Sequence, residues 1–196
     1  MLNLSESRFN SIDQINPNEI KPRHEIINWT GDADLVFASE GETHQLHDGS
    51  IRDILAFDNS LVDASECRVG NNIYSDESVI FANVNCNYIY CLNSSLVVVQ
   101  GHFMGAKVSN GSQLVCIFDF QLIDFSLHFD RNSEVLILYD PRKNFRSTES
   151  TIKSNLESDG VKFIRYDELQ QPSNNYLQTI VDKFNINKNL CYNNFK

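Results

Sequence analysis

The chain has 196 residues, of which 41% are hydrophobic and 11% aromatic, which excludes a disordered chain and suffices for one domain with a substantial core. Its formal net charge of −10 disfavours binding to nucleic acid or to an anionic membrane and favours a basic protein partner. No apolar run approaches the roughly 20 residues that a membrane helix requires, and the first residues lack a secretory signal, so we expect a cytoplasmic protein.

In chain order, residues 1–30 are predicted to form a polar N-terminal arm, and residues 31–132 a body of tandem β repeats. Short β-branched runs recur in this body, and turn signals separate them. The recurring segments are Asp34–Glu40, Ser60–Glu66, Ser78–Val84 and Ser95–Gly101, with a fifth start at Gln113. The later segments start 18, 17 and 18 residues apart when they are aligned on Leu61, Val79, Leu96 and Leu114. The interval from Leu35 to Leu61 is 26 residues and contains an additional run, Ser50–Phe57.

Two architectures explain a repeat of about 18 residues. In a β-solenoid, parallel strands of successive turns stack and bury rows of aliphatic side chains. In an antiparallel meander, hairpins recur at even spacing, and the long alternating stretch from Val115 to Phe129 favours this alternative. The recurrence of like residues at like positions favours the solenoid, in which we expect Cys67, Cys86 and His102 to stack in one row.

The tail, residues 133–196, has a different pattern and is predicted to form a βαβα unit that completes a single domain over residues 1–196. Its strands are expected to pair in parallel and to cap one end of the β-rich body. The predicted elements are a buried strand at Val135–Tyr139, a helix at Ser147–Leu156 ending at Asp159–Gly160, a strand at Val161–Tyr166 and a helix at Asn174–Asn185.

No reaction motif identifies a catalytic centre, so we predict a protein that is not an enzyme and that requires neither cofactor nor metal. The five cysteines lack CxxC spacing and are interpreted as buried thiols. His44 and His47 are of a residue type that metal sites and general-base sites use, but residues at positions i and i+3 of a strand point to opposite faces. A zinc site of stacked Cys and His, or a pair of Cys116 with His102 or His128, is the remaining chemical alternative.

Acidic residues are concentrated between residues 32 and 77, where eleven carboxylates face only Arg52 and Arg68. Crowded like charges cost folding stability, so such a surface is most easily explained by a cationic partner. The predicted partner-binding residues are Asp48, Asp53, Asp58, Asp63, Glu66, Asp76 and Glu77.

In its small size, strong acidity, richness in Asn, Ile and Lys and lack of catalytic motifs, the chain resembles bacterial immunity proteins of toxin–immunity and contact-dependent growth inhibition systems. The resemblance implies a cytosolic inhibitor that binds a cognate toxin domain, often a nuclease. Two alternatives remain open. One is a small hydrolase or transferase that uses His44, His47 or a Cys–His pair, and the other is a structural β-solenoid scaffold.

Overall fold

The computed structural model describes residues 26–118, 125–140 and 147–165, which form a parallel β-solenoid of about six turns followed by a helix and a strand. The strands in chain order are β1 (Ile26–Thr30), β2 (Ala33–Ala38), β3 (Thr43–His47), β4 (Gly49–Ala56), β5 (Leu61–Asp76), β6 (Val79–Leu92), β7 (Leu96–Val108), β8 (Gln113–Phe118), β9 (Ser126–Phe129), β10 (Glu134–Tyr139) and β11 (Lys162–Arg165). The helix α1 (Ser147–Ser158) lies between β10 and β11.

The strands form two parallel sheets that share the long strands β5, β6 and β7. The first sheet has the order β1-β3-β5-β6-β7-β8-β10-β11, and the second has the order β2-β4-β5-β6-β7-β9. Every pairing between described strands is parallel. The antiparallel meander is therefore wrong, and the β-solenoid is confirmed.

Each coil of the solenoid consists of a run in the first sheet, a corner, a run in the second sheet and a closing turn. We number the coils along the chain: coil 1 spans residues 26–42, coil 2 43–60, coil 3 61–78, coil 4 79–95 and coil 5 96–112, and the described part of coil 6 is residues 113–118 and 125–133. Successive coils stack with a spacing of 17 or 18 residues through the partners Ile26, Thr43, Leu61, Val79, Leu96 and Gln113.

This register corrects two of the predicted alignments. Leu35 pairs with Asp53 in the second sheet, and the residue that stacks on Leu61 is Thr43. Leu96 pairs with Gln113 and not with Leu114. The additional run at Ser50–Phe57 corresponds to β4, the second-sheet strand of coil 2. Aliphatic residues occur in both sheets, so their similarity alone does not distinguish the two.

The core consists of aliphatic rows between the two sheets. In the first sheet one row contains Val62, Ile80, Val97, Leu114 and Val135. In the second sheet one row contains Val36, Ile54, Ile73, Ile89 and Ala106. All ten side chains are at most 4% exposed. Because burying a Val, Leu or Ile side chain stabilises a fold by about 1.5–3 kcal/mol, these rows are the main source of stability.

The closing turns combine left-handed backbone with a buried serine. Positive φ angles occur at Glu40–Gly41, Asp58–Asn59, Glu77, Asn93–Ser94 and Asn110–Gly111. In coils 2 to 5 the turn is followed by a serine, namely Ser60, Ser78, Ser95 and Ser112, all at most 3% exposed. The Ser78 hydroxyl donates to the Ala56 carbonyl at 2.9 Å, and the Ser60 hydroxyl donates to the Ala38 carbonyl at 3.3 Å. The hydrogen bond that a buried hydroxyl makes at this position explains why the predicted repeats at Ser60, Ser78 and Ser95 open with the same residue.

Beyond coil 6, β10, α1 and β11 close the C-terminal end of the solenoid. β10 lies between β8 and β11 in the first sheet and is parallel to both. Leu156 of α1 and Val161 belong to the main core, which is continuous from Val36. The helix ends where Gly160, with a φ of 99°, donates its N–H to the Glu157 carbonyl at 3.1 Å. The predicted strand, helix and strand are confirmed, whereas the predicted second helix lies outside the described residues.

The N-terminal end differs from the C-terminal end. Residues 26–30 form β1 and belong to the solenoid, which corrects their assignment to the N-terminal arm, while residues 1–25 lie outside the described part of the chain. Among the described strands, β1 pairs only with β3 and β2 only with β4. All five residues of β1 are exposed. No helix among the described residues is long and apolar enough to cross a membrane.

Candidate interaction surface

The seven predicted partner-binding carboxylates are divided among three places. Asp48, Asp63 and Glu66 lie at or beside the corner between the two sheets, as does Asp32. Asp58, Asp76 and Glu77 lie at the closing turns of coils 2 and 3, as Glu40 does in coil 1. Asp53 lies on β4 in the second sheet. The structure therefore brings six of the seven carboxylates to two opposite edges of coils 2 and 3 and does not gather them on one face.

Some of these carboxylates serve the fold. Asp53 is 18% exposed at its side chain and accepts hydrogen bonds from the Asn71 side chain at 2.8 Å and from the Asn72 backbone at 3.1 Å. Asp63 accepts from the Ser65 hydroxyl at 2.7 Å, and Asp76 accepts from the Asn93 side chain at 2.7 Å. Replacing Asp53 or Asp76 would disturb the stacking of coils as well as the surface charge, and replacing Asp63 would remove a hydrogen bond within coil 3.

Other carboxylates have no such role. The side chains of Asp58 and Glu77 make no hydrogen bond to any described residue, and Asp34 is 87% exposed at its side chain. Asp34 lies 3.6 Å from Arg52, an exposed pair of the kind that contributes only about 0–1 kcal/mol. These side chains are available to a partner.

The two histidines of β3 do not converge on one site. His44 Nε2 lies 3.3 Å from a Glu42 carboxylate oxygen, and its side chain is 13% exposed. His47 Nδ1 lies 2.7 Å from Glu66 on the surface. Within the described part of the chain, no group of three or more His, Cys, Asp or Glu side chains is placed to hold a metal ion.

The predicted row of Cys67, Cys86 and His102 is wrong. Cys86 pairs with Phe103, and His102 pairs with Asn85 instead. The chain crosses the corner between sheets at this point, so a constant distance from the preceding serine does not give a constant position in the coil. Cys86 packs in the core as a small apolar side chain.

Burial makes the described cysteines poor nucleophiles. Cys67, Cys86, Cys91 and Cys116 are free and buried. Burial raises the pKa of the Cys67 thiol, and the nearby Asp48 and Glu66 carboxylates raise it further. Burial also raises the pKa of Cys86 to about 12, raises the pKa of Cys91 to about 12, and raises that of Cys116. Thiolates perform nucleophilic chemistry, so these thiols lack the environment of a catalytic Cys–His pair.

An aromatic strip on the second sheet escaped the sequence analysis. The rings of Phe37 and Phe57 are 5.8 Å apart, those of Phe57 and Tyr74 are 5.4 Å apart, and those of Tyr74 and Tyr90 are 5.8 Å apart. Tyr88 lies 4.8 Å from Tyr90. We call these five residues the aromatic strip. Phe37 is 53% exposed, and the other four are half-buried, so the strip is accessible along coils 1 to 4. Its signal in the sequence is an aromatic residue shortly before the closing turn of each of coils 1 to 4.

The aromatic strip lies between the two acidic edges. Asp58 follows Phe57 directly, and Asp76 is two residues beyond Tyr74. Towards the corner, an open groove of about 700 Å³ is lined by residues that include Asp32, Asp34, Arg52 and Arg68. In contrast, the first sheet carries a second buried cluster in coils 4 to 6 and β10, made of Phe81, Leu96, Val98, Val115, Ile117, Leu136 and Leu138 with Val79 and Ile164 packed against it. The exposed apolar surface of the body is thus on the second sheet and at the N-terminal end.

Comparison with known proteins found no family model, no curated protein and no solved structure that matches this chain.

Proposed function

We propose that the chain is a cytoplasmic binding protein whose N-terminal coils bind a basic protein, and that this partner is a cognate toxin domain which binding neutralises. The observation that carries the proposal is the aromatic strip with carboxylates along its edges. Protein interfaces are rich in Tyr and Phe at their centre and polar at their rim. The strip supplies such a centre, and Asp34, Glu40 and Asp58 supply an acidic rim.

The charges favour a basic partner over a neutral one. Coils 1 to 3 carry eleven carboxylates from Asp32 to Glu77 against Arg52 and Arg68. Charges of this kind steer a basic protein to the surface and raise the association rate, while exposed pairs contribute little to affinity individually. The aromatic side chains are expected to set the dissociation rate.

A pair of matched variants tests the role of charge. Asp58→Asn with Glu77→Gln removes two charges at the closing turns, and the Asn side chain tolerates the left-handed φ of 52° at position 58. Glu157→Gln with Asp159→Asn removes two charges near the end of α1. The partner is the protein that copurifies with the chain from its own cells. Its association rate at low salt should fall severalfold for the first variant only, and the difference should shrink at ~0.15 M salt, where screening acts beyond about 8 Å.

The outcome that contradicts the proposal is an equal association rate for the two variants and the wild type at low salt. Tyr74→Ala should leave the association rate nearly unchanged and increase the dissociation rate, since Tyr74 lies in the middle of the aromatic strip. If the copurifying protein is acidic, the proposed charge complementarity is also wrong.

The fold itself supports a second candidate, a structural scaffold. A solenoid with a continuous core forms a rigid rod without needing any ligand. A scaffold role predicts that both charge variants behave alike and that the chain copurifies with no stoichiometric basic partner. The hydrolase or transferase alternative requires a reactive group, and the buried described thiols do not provide one.

A further inference from the structure

The N-terminal end of the solenoid exposes the last layer of the core. Ile27 and Trp29 of β1 pair with His44 and Leu46 of β3. Side chains in one register row of a parallel pair point to the same side. Leu46 is 5% exposed and lies in the main core, whereas Ile27 is 40% exposed and Trp29 45% exposed. Nothing among the described residues covers this layer, unlike the C-terminal end, which α1 covers.

The backbone of β1 presents a row of hydrogen-bonding groups at the same end. In later coils, the first residue of the first-sheet run donates its N–H to the preceding coil: Leu61 to Glu42 at 2.8 Å, Val79 to Ser60 at 3.0 Å and Leu96 to Ser78 at 3.0 Å. Ile26 has the same register position in coil 1. Because N–H groups alternate in direction along a strand, those of Ile26, Asn28 and Thr30 point away from β3 towards the open end.

We infer that the basic partner adds a β-strand to the open edge of β1. This inference rests on the proposed function and specifies how the partner binds. Its backbone would bond to Ile26, Asn28 and Thr30, and alternate apolar side chains would cover Ile27 and Trp29. Strand addition of this kind obtains affinity from ladder hydrogen bonds and specificity from alternate side chains.

Charge selects a basic strand over a second copy of this chain. Glu42 directly precedes Thr43, the partner of Ile26 at one end of β1. At the other end, the Asp48 carbonyl accepts the Gly31 N–H at 2.9 Å, and Asp32 follows Gly31. Both ends of the edge are therefore acidic. Two copies meeting edge to edge would bring these carboxylates together, which is unfavourable, whereas Lys or Arg side chains of a partner strand would neutralise them.

Trp29 is the only tryptophan of the chain, so its fluorescence reports on this edge in the full-length protein. The probe is a short peptide of alternating Lys and Val, and the control is the same peptide with Glu in place of Lys. We expect the Lys–Val peptide to shift Trp29 emission to shorter wavelength, to reduce its quenching by acrylamide and to slow deuterium exchange of the β1 amides. The Glu–Val peptide should do none of these.

A proline on β1 separates strand addition from general attraction to the acidic surface. Asn28→Pro removes an edge N–H and leaves the groups that pair with β3 in place, a position where proline is tolerated. We expect Asn28→Pro to weaken binding of the Lys–Val peptide by about tenfold, and Asn28→Ala to leave it nearly unchanged. Deuterium exchange of β3 amides should be the same in both variants, which verifies that the coil is intact.

Four results would overturn the inference. One is equal binding by Asn28→Pro and Asn28→Ala, and another is equal binding of the two peptides. A third is that acrylamide fails to quench Trp29 emission in the isolated protein at any protein concentration, which would mean that residues 1–25 cover the edge. The fourth is shielding that increases with protein concentration, which would assign it to a second copy. If the double variant Asp58→Asn with Glu77→Gln slows association of the copurifying partner but Asn28→Pro binds the peptide normally, only the strand addition is wrong, and the proposed function stands.

Discussion

Replacing Ser78 by alanine tests whether the buried serines of the closing turns help to hold the coils in register. Ser78 is 3% exposed, its hydroxyl donates to the Ala56 carbonyl at 2.9 Å, and it lies 2.8 Å from the Ser75 hydroxyl. Alanine removes one partner from each of these groups. A buried polar group left without a partner costs about 1–3 kcal/mol, but the Ser75 hydroxyl can still reach the Ser78 carbonyl at 3.3 Å. We therefore expect a loss of about 1–3 kcal/mol in the free energy of unfolding, dominated by the Ala56 carbonyl.

Urea unfolding followed by far-UV circular dichroism measures this loss, and Ser50→Ala is the matched control. Ser50 is an exposed residue of β4 whose backbone N–H, and not its hydroxyl, bonds to Asp32 at 2.8 Å. The control should lie within about 0.5 kcal/mol of the wild type. The double variant Ser75→Ala with Ser78→Ala should lose less than the sum of the single losses, because the two hydroxyls are partners of each other. Equal stability of Ser78→Ala and Ser50→Ala would refute the reasoning and leave the aliphatic rows as the only source of register.

Three further outcomes follow from the described geometry. Gly101→Ala should destabilise the fold by more than about 2 kcal/mol in the same assay, since Gly101 has a φ of 122° and an added Cβ would lie 2.1 Å from the Val84 carbonyl oxygen. The control Gly70→Ala should cost less than about 1 kcal/mol, because the nearest atom to its added Cβ would be 3.8 Å away. Equal losses for the two variants would contradict the stacking at this corner. In a Cys191→Ser variant, a thiol reagent at neutral pH should modify the remaining four cysteines only after unfolding, and rapid modification of the folded protein would contradict their burial. Because burial raises the pKa of Cys86 and Cys91 from 9.0 to about 12, the folded state holds these protons more tightly and stability should fall as the pH rises from 9 towards 12. Replacing both residues by alanine should reduce that slope by about 1.4 kcal/mol per pH unit for each thiol, and an unchanged slope would contradict the assignment.

The sequence predicted those parts of the fold that depend on local pattern. The interval from Leu61 to Val79 and that from Val79 to Leu96 agree with the observed register. The continuous apolar run of β10 indicated a strand buried on both faces, and Val135 to Leu138 are buried. The helix α1 ends at the predicted Asp159–Gly160 stop. Each of these features is determined by residues that are close together in the chain.

Features that depend on where the chain turns a corner were not predictable in the same way. Leu35 was assigned to the row of Leu61 although it belongs to the other sheet, because both sheets use aliphatic residues in the same alternation. Cys86 and His102 were placed in one row, but a single-residue difference in register separates them. The aromatic strip was missed because Phe37, Phe57, Tyr74 and Tyr90 are separated by 16 to 20 residues and become neighbours only when the coils stack.

The closing turns indicate that the fold does not need a carboxylate at their left-handed positions. Coils 1 to 3 carry Glu40, Asp58 and Glu77 in left-handed positions, whereas coils 4 and 5 carry Asn93 and Asn110. Asparagine accepts this conformation as readily as aspartate, and the Asn110 side chain donates to that of Asn93 at 2.7 Å. Adjacent strands are about 4.8 Å apart, and two like charges at that distance in water repel by about 0.9 kcal/mol. Amides therefore stack in the later coils without the repulsion that acids incur in the first three. Since these acids are concentrated at the end where β1 is open, neutralisation by a basic partner is the simplest physical reason for a chain to keep them.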